Sequence, residues 1–98
     1  SVAVKAAKLD SSPVQNRWLM SNLLIRFGQN IKAKRKSLGI SQDDLAHLAD
    51  VDRSYVGRIE RGEANISLDM LYKLAATLQC SPLELLPEPA QNTNSAIE

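Results

Sequence analysis

The stretch from Ser41 to Gly62, SQDDLAHLADVDRSYVGRIERG, constrains the fold more than any other part of the chain. Two short helical patterns stand back to back in it, separated only by Asp50, Val51 and Asp52. Ser41 is placed to N-cap the first, with Asp44 three residues on as a shortened capping-box acid. Leu45, Ala46 and Ala49 give that helix a small apolar face. Asp52 is placed to N-cap the second, whose core stripe is Val56 and Ile59. Arg53, Ser54, Tyr55, Gly57 and Arg58 are left facing outward.

Helical signals continue on both sides. Pro13 suits a first helical position, and Val14, Trp18 and Leu19 follow at roughly helical spacing. From Ser21 the pattern strengthens, with Leu24, Phe27, Ile31 and Leu38 as core candidates and Gly39 as the C-cap residue. Gly62 ends the second motif helix. Ser67 then caps a fourth helix with a broad apolar stripe of Leu68, Leu71, Leu74, Ala75 and Leu78. Ser81-Pro82-Leu83-Glu84 is a capping box with Pro at the first helical position, which predicts a short fifth helix to about Leu86. Pro87 and Pro89 stop it, and the polar tail 88–98 reads as disordered. Residues 1–20 read as a partly helical arm, and 21–87 as one compact all-α domain of five helices.

Charge is unevenly spread. Residues 1–40 hold eight Lys or Arg against one Asp, and residues 41–98 hold four against ten acids. That separation permits a basic face for phosphates, although composition alone favours the plainer reading of two solvated surfaces. No apolar run approaches the ~20 residues of a membrane span, and no signal-peptide pattern opens the sequence. The single cysteine, Cys80, forms no internal disulfide and reads as a packing residue in a cytoplasmic protein. His47 has no second ligand near it, and no nucleophile–base pair, carboxylate dyad, phosphate loop or zinc spacing is visible. The expectation is therefore no enzyme, no metal and no cofactor.

A short helix that opens with long hydrogen-bonding side chains suits insertion into a DNA major groove. The chain resembles the Cro/CI-type (XRE-like) helix-turn-helix family through FGQNIKAKR, GISQDDLA, DRSYVGRIERG, NISLDMLYKLA and SPLELL, which keep their relative spacing over about Phe27 to Leu86. The segment DRSYVGRIERGEANIS is very similar to that of restriction–modification controller proteins. The resemblance implies a repressor-like five-helix fold with an N-terminal extension here. It further implies a transcriptional repressor or activator that binds double-stranded operator DNA as a homodimer. Asp50 departs from the family pattern, which has Gly in the turn, but Asp tolerates the left-handed conformation better than most residues.

Residue roles follow from chemistry and resemblance together. Arg53 can bond guanine O6 and N7 at once, a pairing worth ~1–3 kcal/mol of discrimination. Ser54 opens the same helix. Tyr55 offers its ring to a thymine methyl, its hydroxyl to a phosphate, or its face to the neighbouring helix. Arg58 replaces a residue that is small in the controller pattern, so it reads a further base or grips a phosphate, and Gly57 beside it leaves room for close approach. The resemblance makes Gln42 a phosphate anchor, against plain solvation. Lys36 and Arg61, with Lys32 and Lys34, are exposed candidates for phosphate. Asn65 and Ser67 can bond phosphate at the fourth helix N-terminus, where Ser67 is also an ordinary cap. The family pairs Arg35 with Glu60 as an internal ion pair, although Arg35 alone reads as a DNA contact. Tyr72, Leu83, Leu85 and Leu86 are candidates for a dimer face or for the domain's own core. Asp43 and Asp44 stand where related activators touch RNA polymerase, and where helix N-terminal charge and capping would also place them. The alternative function is a DNA-binding antitoxin, with residues 1–20 as the toxin-binding arm.

Overall fold

A computed structural model of the protein describes residues 13–88, and side chains from residue 22 onward. Among the described residues the helices are α1 (Pro13–Ser37), α2 (Gln42–Ala49), α3 (Arg53–Glu60), α4 (Leu68–Thr77) and α5 (Pro82–Leu85). The expected domain boundary after residue 20 falls inside α1, which runs unbroken from Pro13. The expectations for residues 1–12, for the side chains of Val14, Trp18 and Leu19, and for the tail beyond residue 88 lie outside the described residues.

Local chemistry sets the helix ends. Ser41 accepts from the Asp44 backbone N–H at 3.0 Å, and the Asp44 carboxylate accepts from the Ser41 N–H at 2.9 Å. That reciprocal pair holds the Asp44 carboxyl below its ordinary range. Ser81 and Glu84 form a second box, with Pro82 in the first turn. Ser67 caps α4 through the Met70 N–H. Asp52 differs from expectation: its backbone is extended, as a cap requires, but its side chain makes no capping bond. Asp50 adopts φ 57°, ψ 51°, so the left-handed turn between α2 and α3 is made without glycine. Ser41→Ala is expected to lower stability by about 1 kcal/mol, measured as a small fall in the thermal midpoint with the helical signal intact.

Packing builds one core. Ile31, Leu45, Val56, Ile59, Leu74, Leu78 and Leu85 are fully buried, with Phe27 and Leu71 nearly so. Helix α3 packs on α1 and α2, α4 packs on α2, and α5 closes the core against α1 and α4. The Asn30 amide of α1 donates to the Leu85 carbonyl at 3.0 Å, tying α5 to α1. Two glycines let α1 press on the end of α3. A Cβ on Gly28 would overlap the Ile59 and Glu60 carbonyls, and one on Gly62, which holds φ +77°, would stand 2.6 Å from Ile25 Cα.

Three expectations about burial are corrected. Leu38 and Leu68 are exposed, Leu68 by 69%. Leu68 occupies the first position after the Ser67 cap, before α4 has turned its stripe onto the core. Leu85 is 0% exposed, so it belongs to the domain's own core and offers no surface to a partner. No described helix is long and apolar enough to cross a membrane.

Candidate nucleic-acid interface

Helix α3 has eight residues and two faces. Val56, Ile59 and Glu60 are buried, while Arg53, Ser54 and Arg58 are exposed. The buried side is locked at its C-terminal end by a charged network. Arg35 Nε donates to Glu60 Oε2 at 2.7 Å and Nη2 donates to Oε1 at 3.1 Å. Arg35 Nη1 donates to the Ile40 carbonyl at 2.9 Å, and Gln42 Nε2 donates to Glu60 Oε1 at 2.8 Å. The network thus joins α1, the α1–α2 loop, α2 and α3. No buried side-chain polar atom among the described residues lacks a partner. Burial pushes the Glu60 carboxyl up, but the hydrogen bonds from Arg35 and Gln42 and the Arg35 charge outweigh it and hold Glu60 below the ordinary range. The same hydrogen bond to Glu60 raises Arg35. Arg35 and Glu60 therefore form the internal pair that the resemblance implied, and this pair ranks with the bidentate Arg–carboxylate contacts that are strong and geometrically specific.

The exposed side carries the arginines. Arg53 Nε lies 3.1 Å from Asp43 Oδ1, and Arg61 Nη2 lies 3.1 Å from Glu63 Oε1. The Arg61 bond lowers the Glu63 carboxyl. Arg58 donates from Nη2 to the Glu63 carbonyl at 3.2 Å. Gly57 is covered rather than open: a Cβ there would stand 3.1 Å from Arg61 Nη1 and 3.4 Å from Arg53 Nη1. Ser54, Tyr55 and Arg58 line one open concavity with Asp50, Asp52 and Met70. Tyr55 is half-buried and packs on the edge of the core, as one of its open alternatives required. Lys36, Asn65 and Ser67 are exposed.

The remaining expected site residues divide. Tyr72, Leu83 and Leu86 are exposed, by 59%, 77% and 44%. Lys34 pairs with Glu84 at 3.4 Å. Cys80 is half-buried, and desolvation raises its thiol, which fits a packing role. Sequence reasoning missed the Asp43–Arg53 pair, the Gln42–Glu60 bond and the seat at Gly57. Opposite charges on α2 and α3 were visible, but their contact depends on how the turn angles the two helices.

The family described as Helix-turn-helix matches residues 31–85, and the chain belongs to it. The chain is 38% identical over 69 residues to the control protein C.BamHI of Bacillus amyloliquefaciens, covering 69% of this chain and 85% of that protein. The crystal structure of the restriction–modification controller protein C.AhdI from Aeromonas hydrophila matches with 48% identity and a TM-score of 0.63, covering 64% of this chain and 96% of that one. The controller protein C.Esp1396I, solved as a tetramer in complex with its natural 35 base-pair operator, matches with 32% identity and a TM-score of 0.60, over 64% of this chain and 83% of that one.

Proposed function

We propose that this chain is a transcriptional regulator, a controller of a restriction–modification system, that binds operator DNA as a homodimer with α3 in the major groove. The carrying observation is the division of α3: its core side is locked to α1 and α2, and its exposed side presents Arg53, Ser54 and Arg58. In this reading Arg53, Ser54 and Arg58 contact base edges, and Tyr55 reaches a base or phosphate from its half-buried position. Lys36, Arg61, Asn65 and Ser67 meet phosphates. Gln42 keeps a second amide N–H for the same purpose, beyond the one given to Glu60.

One such short motif reads few bases, so two copies on a two-fold site supply the specificity. An apolar groove lined by Leu23, Leu24, Phe27, Leu68, Leu71 and Leu86 runs between α1 and α4, with Tyr72 and Leu83 exposed on α4 and α5. This is the face we assign to the second protomer. The two acids of α2 are already engaged within the domain, Asp44 in its cap and Asp43 with Arg53, which favours those roles over a contact with RNA polymerase.

Selection from a random duplex library tests the reading. The enriched site is expected to be two-fold symmetric, with half-site centres about 34–36 Å apart. Arg53→Ala should relax discrimination at one base pair per half-site, whereas Lys36→Ala should weaken binding to all sequences alike and reduce the salt slope by about 1. Failure to enrich any duplex over random sequence would overturn the proposal.

A further inference from the structure

We propose that Asp43 is a positioning residue for base readout: its carboxylate, with Gly57 as the floor, holds the Arg53 guanidinium ready to read a base. This rests on the reading of α3 as the groove-binding helix, and it assigns a role to a residue that need not touch DNA.

The geometry is selective about which part of Arg53 it occupies. The guanidinium atom paired with Asp43 is Nε, which stands 3.1 Å from Oδ1. A guanidinium has five N–H donors, and Nε carries only one of them. The four on Nη1 and Nη2 stay available, and a paired contact to guanine O6 and N7 needs two of those. The Arg53 side chain is nevertheless 56% exposed, so a free arginine there would sample many rotamers. Two things restrict it. Asp43 in the first turn of α2 takes one edge, and the bare Gly57 lets Nη1 lie close to the helix surface, where a Cβ would meet it at 3.4 Å. Arg61 flanks the same glycine from the other side, and its own guanidinium is held by Glu63.

As a stability device an exposed pair of this kind contributes little. Its effect falls on binding. Immobilising one long side chain on association costs enough to change affinity about two- to tenfold, and pre-setting Arg53 removes part of that cost. A carboxylate on the DNA-facing side also repels phosphate, which weakens binding to every sequence alike and leaves the ratio between sequences to Arg53. Pre-setting Arg53 is what raises the ratio of specific to non-specific affinity.

The test uses the full chain and the duplex enriched by selection, with titrations against that site, its single-base-pair variants and random duplex. Asp43→Asn should leave the thermal midpoint unchanged and lower discrimination at the Arg53 base pair about two- to tenfold. It should also tighten binding to random duplex. In an Arg53→Ala background the same change should have no further effect on discrimination. Asp43→Glu, which keeps a carboxylate, should retain part of the ratio, and Glu88→Gln, an equal charge change at the far end of the described chain, should alter neither quantity. Asp43→Asn that tightens all duplexes equally, or that acts equally with and without Arg53, would overturn the inference. If the unaltered chain itself shows no preference for any duplex, the failure lies with the reading of α3, because discrimination by Asp43 presupposes it.

Discussion

Arg35→Ala is expected to lower the stability of the domain by about 3–5 kcal/mol, enough to leave a small helical domain largely unfolded at moderate temperature. The size comes from what remains behind. Both Glu60 oxygens accept from Arg35, and the Glu60 side chain is 3% exposed. Removing the guanidinium strands a buried carboxylate that Gln42 alone cannot satisfy, and it also removes the donor to the Ile40 carbonyl. Glu60→Ala should cost a similar amount by stranding Arg35. Replacing both with apolar side chains of like volume should recover much of the loss, because no charge is then left unpaired. The network also fixes a pH dependence. Glu60 is held below its ordinary pKa in the folded state, so its stabilising contribution is complete above the ordinary glutamate value and is lost as pH falls through the depressed one. Thermal melts across the acid range should show this fall in the unaltered protein. A native melting temperature in Arg35→Ala, together with lost DNA binding, would instead place Arg35 on the phosphates.

Gly28→Ala is expected to cost about 3 kcal/mol through a different cause. The added methyl would stand 2.7 Å from the Glu60 carbonyl oxygen and 2.9 Å from its carbon, with the Ile59 carbonyl nearer still. These are backbone atoms of the last turn of α3, so no side chain can swing aside and the two helices must separate. A denaturant titration should show a lower midpoint with an unchanged slope. Gly57→Ala makes the useful contrast. Its methyl meets only the flexible ends of Arg61 and Arg53, and alanine suits a helix interior better than glycine, so stability should hold or rise. Loss of stability in Gly57→Ala equal to that in Gly28→Ala would contradict this account.

Much of this was legible in the chain because it is local. Ser41, Ser67, Ser81 and Pro82 announce helix starts through chemistry that acts within one turn. The turn at Asp50 is legible for the same reason. Less local features were hidden. In the four-residue α5, periodicity cannot separate the buried Leu85 from the exposed Leu83 and Leu86. Gln79 adopts φ 59° after α4, at a position where the sequence shows no glycine or asparagine. Gly57 reads as an open surface from its place on the helical wheel, yet Arg53 from its own helix and Arg61 just past the helix end fold over it. The Asp43–Arg53 pair depends on the interhelical angle, which no spacing rule supplies.

The two ends of α3 carry different obligations. Its last turn is clamped by Glu60, Gly28 and Gly62, while its first turn makes its one ion pair with an exposed acid. Substitutions at Arg53, Ser54 and Arg58 can therefore accumulate without endangering the scaffold. With α3 read as the groove-binding helix, as proposed above, a lineage of such proteins is free to drift toward new operators one residue at a time, passing through intermediates that stay folded.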